Sequence, residues 1–470
     1  MEYVLRMTGD QHAMLRAHLF PGDGMEAAAL ILCGRHIGFD RHVFTANRVA
    51  LIPHDQCVRT AVGVNWPTHF ADPLLAEAIK RRMAIVKLHS HPGGFADFSG
   101  VDDKSDASFS RAVWDLLEDD LPHVSAVMLG EKVGYRIFGR VLGRGQVIAP
   151  MDLVSVAGDD LELWHAGADQ SRLPEFARRH GQAFGADTVA RLRRMTIAIV
   201  GCSGTGSPLI EQLVRLGVGR IILIDMDHME WRNVGRIYFS TATDANLERL
   251  KVDMLAEAIG RVGLGTEVIR LAMDVATPKA VRAVASADLV FGGLDSMAGR
   301  DMVNRIATFY NLPYIDMGVR LQALPGGGID QITGAVHYIQ PGRSSLKSRG
   351  VYSGEDVMAE LLKRNDPVEY NRRRKEGYIR GVQEDRPAVI SVNTMVAAMA
   401  ANEMLARIHR YRYEPNNVFA LQQFALHEGV NFKTAETDLP PCEILAPEVG
   451  LGDVKPLLKR AELSERSAAA

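Results

Sequence analysis

An α/β protein built in two unlike parts is what this sequence predicts, on three observations. The chain has 470 residues, more than one hydrophobic core of ordinary size organises. Residues 1–140 mix short apolar strands with two amphipathic helical patterns, the pattern of a compact α+β unit. From residue 193, continuous apolar strands alternate regularly with helices, as in a doubly wound parallel sheet covered on both faces.

In the first part the strands are AAALILCG (27–34), AIVKLHSH (84–91), SAVMLG (125–130) and YRIFG (135–139), with helices over PLLAEAIKRR (73–82) and DASFSRAVWDLLED (106–119). The stretch 146–185 is polar and punctuated by glycine, so it reads as a linker with an entry helix. The alternating region then runs MTIAIVG, SPLIEQLVRLG, RIILIDMD, LERLKVDMLAEAIGRVG, TEVIRLAMDV, ADLVFGGLD, AGRDMVNRIATFYN and LPYIDMGV. Beyond 320 come a strand pair, a charged helical segment containing NRRRKEG, and a long small-residue helix over 388–408. The expected domains are 1–145, a linker over 146–185, then 186–435, and a C-terminal tail over 436–470 that frays at LSERSAAA.

Composition narrows the function classes. Lysine and arginine total 54 against 57 aspartates and glutamates, a net charge of −3. That balance argues against a nucleic-acid-binding surface as the main function. No apolar run is long enough to span a bilayer, and the start lacks the basic flank and apolar stretch of a secretory signal. Cys33, Cys57, Cys202 and Cys442 are scattered without pairing spacing, which suits a reducing compartment. The expectation is a cytoplasmic protein.

Two constellations carry chemistry. In KLHSHPGGFADFSGVDD (87–103), His89 and His91 stand two apart on a strand, so their imidazoles face one side. Beyond a Gly-Gly turn come Ser99 and Asp102. Two imidazoles and a carboxylate make a three-ligand zinc site with an open position for water, which zinc-assisted hydrolysis requires. Glu26, just ahead of AAALILCG, is the candidate general base. A His-x-His pair alone is more often incidental; the continuing spacing, His-x-His, seven residues, Ser, two residues, Asp, lifts it above that. The full pattern resembles the JAB/MPN (JAMM) metalloprotease family over roughly residues 10–140. That resemblance implies zinc held by His89, His91 and Asp102, Glu26 as general acid/base, and Ser99 steadying the oxyanion. It also implies cleavage of peptide or isopeptide bonds after the C-terminus of a ubiquitin-like protein.

The second constellation begins at GCSGTGSP (201–208), a strand-to-helix turn whose backbone N–H groups and helix dipole favour phosphate. A lone glycine-rich loop is equally the mark of a dinucleotide site, and Asp225, ending the next strand, suits ribose hydroxyls in either case. The residues after it separate the two. Asp227, Asn233, Arg236 and then Lys251 follow in order, and Asp295 ends a later strand, where it suits Mg²⁺. Cations collected near the phosphates fit attack of a carboxylate on the α-phosphate of ATP, where negative charge accumulates. This set resembles the ubiquitin-activating superfamily of ThiF, MoeB and HesA type over about residues 175–430. Carried over position by position, its pattern falls on Gly201, Gly204, Gly206, Asp225, Asp227, Asn233, Arg236, Lys251, Asp295, Arg300 and Asn304. The resemblance implies ATP and Mg²⁺, adenylation of the terminal glycine of a ubiquitin-like or sulfur-carrier protein, and a homodimer. In that dimer an arginine from an N-terminal helix reaches the partner's ATP, and Arg178 or Arg179 is the loose match here.

The pattern breaks at the thiol. Relatives carry a transfer cysteine in a crossing loop and many carry a Cys-x-x-Cys zinc pair, yet residues 320–400 contain no cysteine. Ser345 and Ser348 stand where the pair is expected, and GYIRGVQEDRPAV (377–389) offers no thiol. Three accounts compete: direct hand-over of the acyl-adenylate, an ester on a serine (Ser344, Ser345, Ser348 or Ser353), or transfer to Cys442 folding back from the tail. For any one serine, a polar loop residue is the commoner role. Cys202 reads as packing inside the phosphate loop, and Cys33 and Cys57 as first-domain interior. Together the two resemblances imply the fusion found in bacterial ubiquitin-like conjugation systems, with a ubiquitin-like modifier and a conjugating enzyme as partners. The alternatives are a sulfur-carrier adenylyltransferase whose first domain trims the carrier, and a peptidase with a non-catalytic docking scaffold.

Overall fold

The computed structural model describes residues 1–117, 120–144, 146–167, 173–324, 326–376 and 388–464. Two compact units emerge: one of residues 1–168 with 309–311 and 448–470, the other of residues 169–308 and 312–447.

The first unit is organised by one mixed sheet of nine strands. Its strands are β1 (Glu2–Thr8), β2 (Ala28–Ile37), β3 (Arg41–Leu51), β6 (Ala84–His91), β7 (His123–Leu129), β8 (Ile137–Gly143), β9 (Gln146–Pro150), β10 (Leu153–Ala157) and β11 (Leu161–His165), around a separate small hairpin of β4 (Val58–Thr60) and β5 (Gly63–Asn65). The order is β11-β10-β1-β3-β2-β6-β7-β8-β9. Central strands β2 and β6 are buried along nearly their whole length, so alternate residues feed two apolar clusters. One gathers Leu5, Phe44, Ile31, Val86 and Met128, packed with helix α1 (Gly9–Leu19). The other gathers Leu30, Ile85 and Val113 with Leu74 and Ala78 of α2 (Asp72–Arg81), beneath α3 (Gly100–Leu116). Burying each such Leu or Ile contributes about 1.5–3 kcal/mol.

Two expectations change here. The stretch 146–185, expected as linker, carries β9, β10 and β11, and β10 pairs parallel with β1. Gly158 marks the turn between antiparallel β10 and β11, while Gly181 and Gly185 lie within the helix Arg178–Arg194. The tail is also anchored at 450–453: Gly34 donates to Gly450 O at 3.1 Å, Asp453 N donates to Arg35 O at 2.7 Å, and Asp453 pairs with His36 at 3.1 Å, while residues 465–470 of the expected frayed end lie outside the described residues. Glycine is needed in this contact, because a Cβ on Gly450 (φ 68°) would lie 2.0 Å from Ala46 O.

The second unit holds an eight-stranded sheet in the order β14-β13-β12-β15-β16-β17-β18-β19. The parallel part is β12 (Thr196–Val200), β13 (Arg220–Ile224), β14 (Glu267–Leu271), β15 (Leu289–Gly292) and β16 (Tyr314–Ala323). Its crossovers include α5 (Gly206–Leu216), α8 (Lys251–Val262), α9 (Pro278–Ala285) and α10 (Met297–Phe309), with short turns α6 (Trp231–Val234) and α7 (Ala242–Asn246). Helix α4 (Arg178–Arg194) precedes β12. Antiparallel strands β17 (Ile329–Ile339), β18 (Leu421–Ala425) and β19 (Val430–Thr434) extend the sheet past β16. Between β17 and β18 come α11 (Gly354–Asn365), α12 (Pro367–Lys375) and α13 (Ile390–His409). Strand order reverses between β12 and β15, and the crevice outside their carboxyl ends is where such sheets bind ligands. Among the described residues no helix is long and apolar enough to cross a membrane.

Candidate functional site

In the first unit, strand register builds a cluster. Ala28 of β2 faces His89 of antiparallel β6, and continuing that register places Glu26 opposite His91. Period-two alternation turns His89 and His91 to one side. The result is a buried trio, Glu26, His89 and His91, whose potential ligand atoms lie within 4.8 Å of one another. Asp102 joins from α3: its Oδ1 lies 3.0 Å from His89 Nε2 and its Oδ2 lies 3.6 Å from His91 Nε2. Glu26 Oε1 is 3.8 Å from His91 Nε2.

Ser99 is where sequence reading missed half the chemistry. It is the N-cap of α3: its hydroxyl accepts from Asp102 N at 3.2 Å, and Asp102 Oδ2 accepts from Ser99 N and Oγ at 2.7 Å each. The Ser-x-x-Asp spacing is therefore a capping box as well as part of the motif, and the cap fixes the Asp102 carboxylate. The electrostatics follow from burial. Desolvation, with Asp102 adding and His91 opposing, pushes the Glu26 carboxyl up to about 7. Burial also holds His89 below the ordinary imidazole range, Asp102 opposing. It acts against His91 too, but bonds to Asp102 and the Phe95 carbonyl outweigh it and His91 is raised. Asp102 is driven far below the usual carboxylate range, its bonds to His89, His91 and Ser99 overcoming burial.

The donor set fits a zinc ion. His91 Nδ1 lies 2.8 Å from Phe95 O, so a proton there leaves Nε2 as a lone pair facing the cluster. The two Nε2 atoms converge to 3.0 Å with Asp102 between them and Glu26 beside them. His89 Nδ1 departs from the usual arrangement, being buried without a partner among the described residues.

In the second unit the glycine-rich loop sits at the switch point. Gly201 has φ 89°, and a Cβ there would lie 2.6 Å from Gly293 O, so the loops after β12 and β15 touch. A Cβ on Gly206 would lie 2.0 Å from Gly201 O. Asp225, expected at the ribose, braces the loop through both oxygens: Oδ2 accepts from Cys202 N at 2.8 Å and Oδ1 from Asp227 N at 2.9 Å. Burial raises the Asp225 carboxyl, Lys251 opposing. Lys251, buried at the start of α8, donates to exposed Asp227 at 2.7 Å. Asn233 is buried, and its Oδ1 accepts from Glu230 N at 3.0 Å. Among the described residues Arg236 Nε is buried without a hydrogen-bond partner, and Arg236 Cδ lies 3.8 Å from where a Gly204 Cβ would be. Asp295 is exposed on the loop after β15. Arg300 is turned away into a buried pair, Nε 3.4 Å from Asp316 Oδ1, and Asn304 Nδ2 is 3.5 Å from Tyr352 OH. Arg178 and Arg179 are exposed on α4.

Sequence reading passed over two residues that shape this loop. Asn393 of α13 would be 2.6 Å from a Gly204 Cβ; one asparagine in a helix of small apolar residues was the available signal. Buried Ser207 accepts from Tyr238 N at 3.0 Å and ties the loop to the segment after α6.

The serines considered as acyl acceptors all have structural employment. Ser345 Oγ accepts from Ser348 N at 3.2 Å, and Ser348 Oγ accepts from Ser345 N at 2.9 Å and donates to Pro440 O at 2.8 Å. Ser344 donates to Glu436 at 2.6 Å, and Ser353 caps α11. Cys442 is buried. Of the stretch 377–389, residues 377–387 lie outside the described residues.

Comparison with known proteins agrees with the second unit. The ThiF family model matches residues 176–443. Ubiquitin-like modifier-activating enzyme 5 of Aedes aegypti is 23% identical over 48% of this chain and 58% of its own length. The enzyme of the same description from Culex quinquefasciatus is 26% identical over 33% and 39%. The sulfur carrier protein ThiS adenylyltransferase of Bacillus subtilis is 25% identical over 29% and 42%. The chain thus spans less than two thirds of these relatives' length. Among solved structures, E. coli MccB in complex with N-formylated MccA aligns over 58% of this chain and 75% of its own, at 19% identity and TM-score 0.45. With its family model covering more than half of the sequence, the chain belongs to the ThiF family.

Proposed function

We propose that this protein adenylates the C-terminal glycine of a ubiquitin-like protein with ATP, and that its first unit is a JAB/MPN-type zinc peptidase acting on the same modifier. The observation that carries the first half is the orphaned Arg236 Nε beside Gly204, together with buried Lys251 at the loop's rim. Both are cations poised for a polyanion.

In this reading the N–H groups of Gly201–Gly206 and the N-terminus of α5 cradle the phosphates. Asp295 holds Mg²⁺, which neutralises charge on the phosphates when bound. A carboxylate oxygen of the terminal glycine bonds to the α-phosphorus while the bond to the β-phosphate oxygen breaks, and pyrophosphate leaves. Arg236 and Lys251 stabilise the charge gathering on the transferred phosphate, Lys251 exchanging Asp227 for phosphate oxygens. Asn233 orients this edge, and an arginine at 178 or 179 completes the site of a second copy in a homodimer. A nucleophile of a conjugating enzyme then bonds to the acyl carbon while the acyl–phosphate bond breaks, and AMP leaves. Ser345 and Ser348 hold the loop that a thiol pair holds in relatives, which supports direct hand-over and weighs against the sulfur-carrier alternative.

In the first unit His89, His91 and Asp102 are the zinc ligands, and zinc when bound acidifies a water and polarises the scissile carbonyl. Glu26, buried beside the ligands, would be the group that takes a proton from a water held there. Ser99, whose hydroxyl donates to Asp102 Oδ2 in the free protein, would turn that proton toward the developing oxyanion. The test is ATP–pyrophosphate exchange with a ubiquitin-like protein ending in glycine. Modifier-dependent exchange is expected from wild type and is lost in Arg236→Ala. Nucleotide bound without any exchange supports the docking-scaffold alternative instead.

A further inference from the structure

The zinc reading leaves one buried ionic cluster unused. Lys87, two residues before His89 on β6, donates to Asp106 Oδ1 and to Ser105 Oγ at 2.7 Å each. Asp106 stands one helical turn beyond Asp102 on α3, and its Oδ2 accepts from Arg140 Nε at 2.9 Å and Nη2 at 2.7 Å. Arg140, from β8, also pairs with Asp103 at 2.6 Å and lies 3.9 Å over the Phe98 ring. The Lys87 and Asp106 side chains are only 7% and 2% exposed.

Two periodicities explain the arrangement. Strand alternation sets Lys87, His89 and His91 on one side of β6, and helical spacing sets Asp102 and Asp106 on one side of α3. Strand and helix therefore meet in two rungs, His89–Asp102 at 3.0 Å and Lys87–Asp106 at 2.7 Å. A buried ion pair is a poor source of stability, because desolvation offsets its attraction and a well-packed apolar pair often does as well. Its distinctive contribution is register: sliding α3 by one turn along β6 strands two buried charges.

We infer that Lys87 and Asp106, braced by Arg140, are positioning residues that lock α3 against β6 and so hold Asp102 at ligating distance from the two histidines. This rests on the cluster being a zinc site. The test is zinc stoichiometry and affinity of the full chain, by competition with a chromogenic chelator, beside the melting temperature of the metal-free protein. Wild type is expected to bind one zinc that His91→Ala abolishes. The double variant Lys87→Met/Asp106→Leu, which removes both charges of this rung and leaves Arg140 its bond to Asp103, should melt within a few degrees of wild type. It should nevertheless bind zinc about 10- to 100-fold more weakly, the usual effect of disturbing a ligand's support. Lys87→Arg, keeping the charge, should restore most of that affinity. Wild-type affinity in the double variant overturns the positioning role while leaving the zinc site standing. Equal zinc binding by wild type and His91→Ala overturns the zinc reading, and the positioning role with it. Asp106→Asn is the harsher single variant; if it does not fold, the double variant still decides.

Discussion

The two candidate sites are built on opposite plans. In the first unit Glu26, His89, His91 and Asp102 are at most 8% exposed and their side chains converge on one point. In the second the essential shape comes from backbone, with Gly201 and Gly206 so close to neighbouring carbonyl oxygens that a Cβ does not fit, and the acidic groups of Asp227 and Asp295 are open to solvent. A small cation needs side chains converging from fixed directions, so strand register and a capped helix do the positioning. A polyphosphate needs many N–H donors and room, so glycines do it. The contrast predicts which kind of substitution ruins which site.

The largest effects should separate the sites completely. Gly206→Ala drives a methyl group into Gly201 O, at 2.0 Å, and calorimetry should detect no binding of Mg·ATP while zinc content stays at one per chain. His91→Ala should do the reverse, emptying the zinc site and leaving nucleotide affinity within about twofold, since sites on separate units add independently. Parallel loss of zinc and nucleotide in either folded variant would break the comparison.

Next in size are the catalytic side chains. Lys251→Ala should lower pyrophosphate exchange by about 10²–10³-fold, the usual result of removing one donor to a developing oxyanion. Its effect on nucleotide binding should be smaller, because in the free protein Lys251 is committed to Asp227. Glu26→Gln should retain zinc yet slow cleavage by about 10²–10⁴-fold. If Glu26→Gln loses zinc instead, Glu26 is a ligand rather than a base, and the trio in the first unit needs a different partition of roles.

How much of this was legible depends on whether a residue's role is local. His89, His91, Ser99 and Asp102 declared themselves because alternation and helix spacing act within a few residues. The parallel strands β12, β13 and β15 declared themselves because both their faces are buried. Strands β1 and β3 did not, since Glu2, Arg6, Arg41 and His42 interrupt the apolar pattern; buried Arg41 is met by Glu2, on the neighbouring strand, at 2.6 Å. The fold of residues 146–165 and of the 448–464 segment was hidden for a related reason. Their glycines read as breakers until the strand each one touches is known, as with Gly450 against Ala46. Asp225 shows the same limit inside a recognised motif: its position was readable, but its bonds to Cys202 N and Asp227 N were not.

The smallest expected effect sharpens the contrast at the missing thiols. Ser345 and Ser348 exchange backbone-to-hydroxyl bonds, and Ser348 Oγ also reaches Pro440 O, tying two loops of the second unit together. Two hydroxyl bonds of this kind are together worth about 1–3 kcal/mol, so Ser348→Ala should lower the unfolding free energy by roughly that amount. Ser345→Ala, which removes one acceptor, should cost about half as much. Pyrophosphate exchange should be unchanged in both, because neither side chain neighbours the phosphate loop. A serine that accepts the acyl group behaves differently: its alanine variant keeps stability and exchange but loses a hydroxylamine-labile, reductant-stable adduct with the modifier. Finding that adduct on wild type and losing it in Ser348→Ala would make the clamp a nucleophile and overturn direct hand-over.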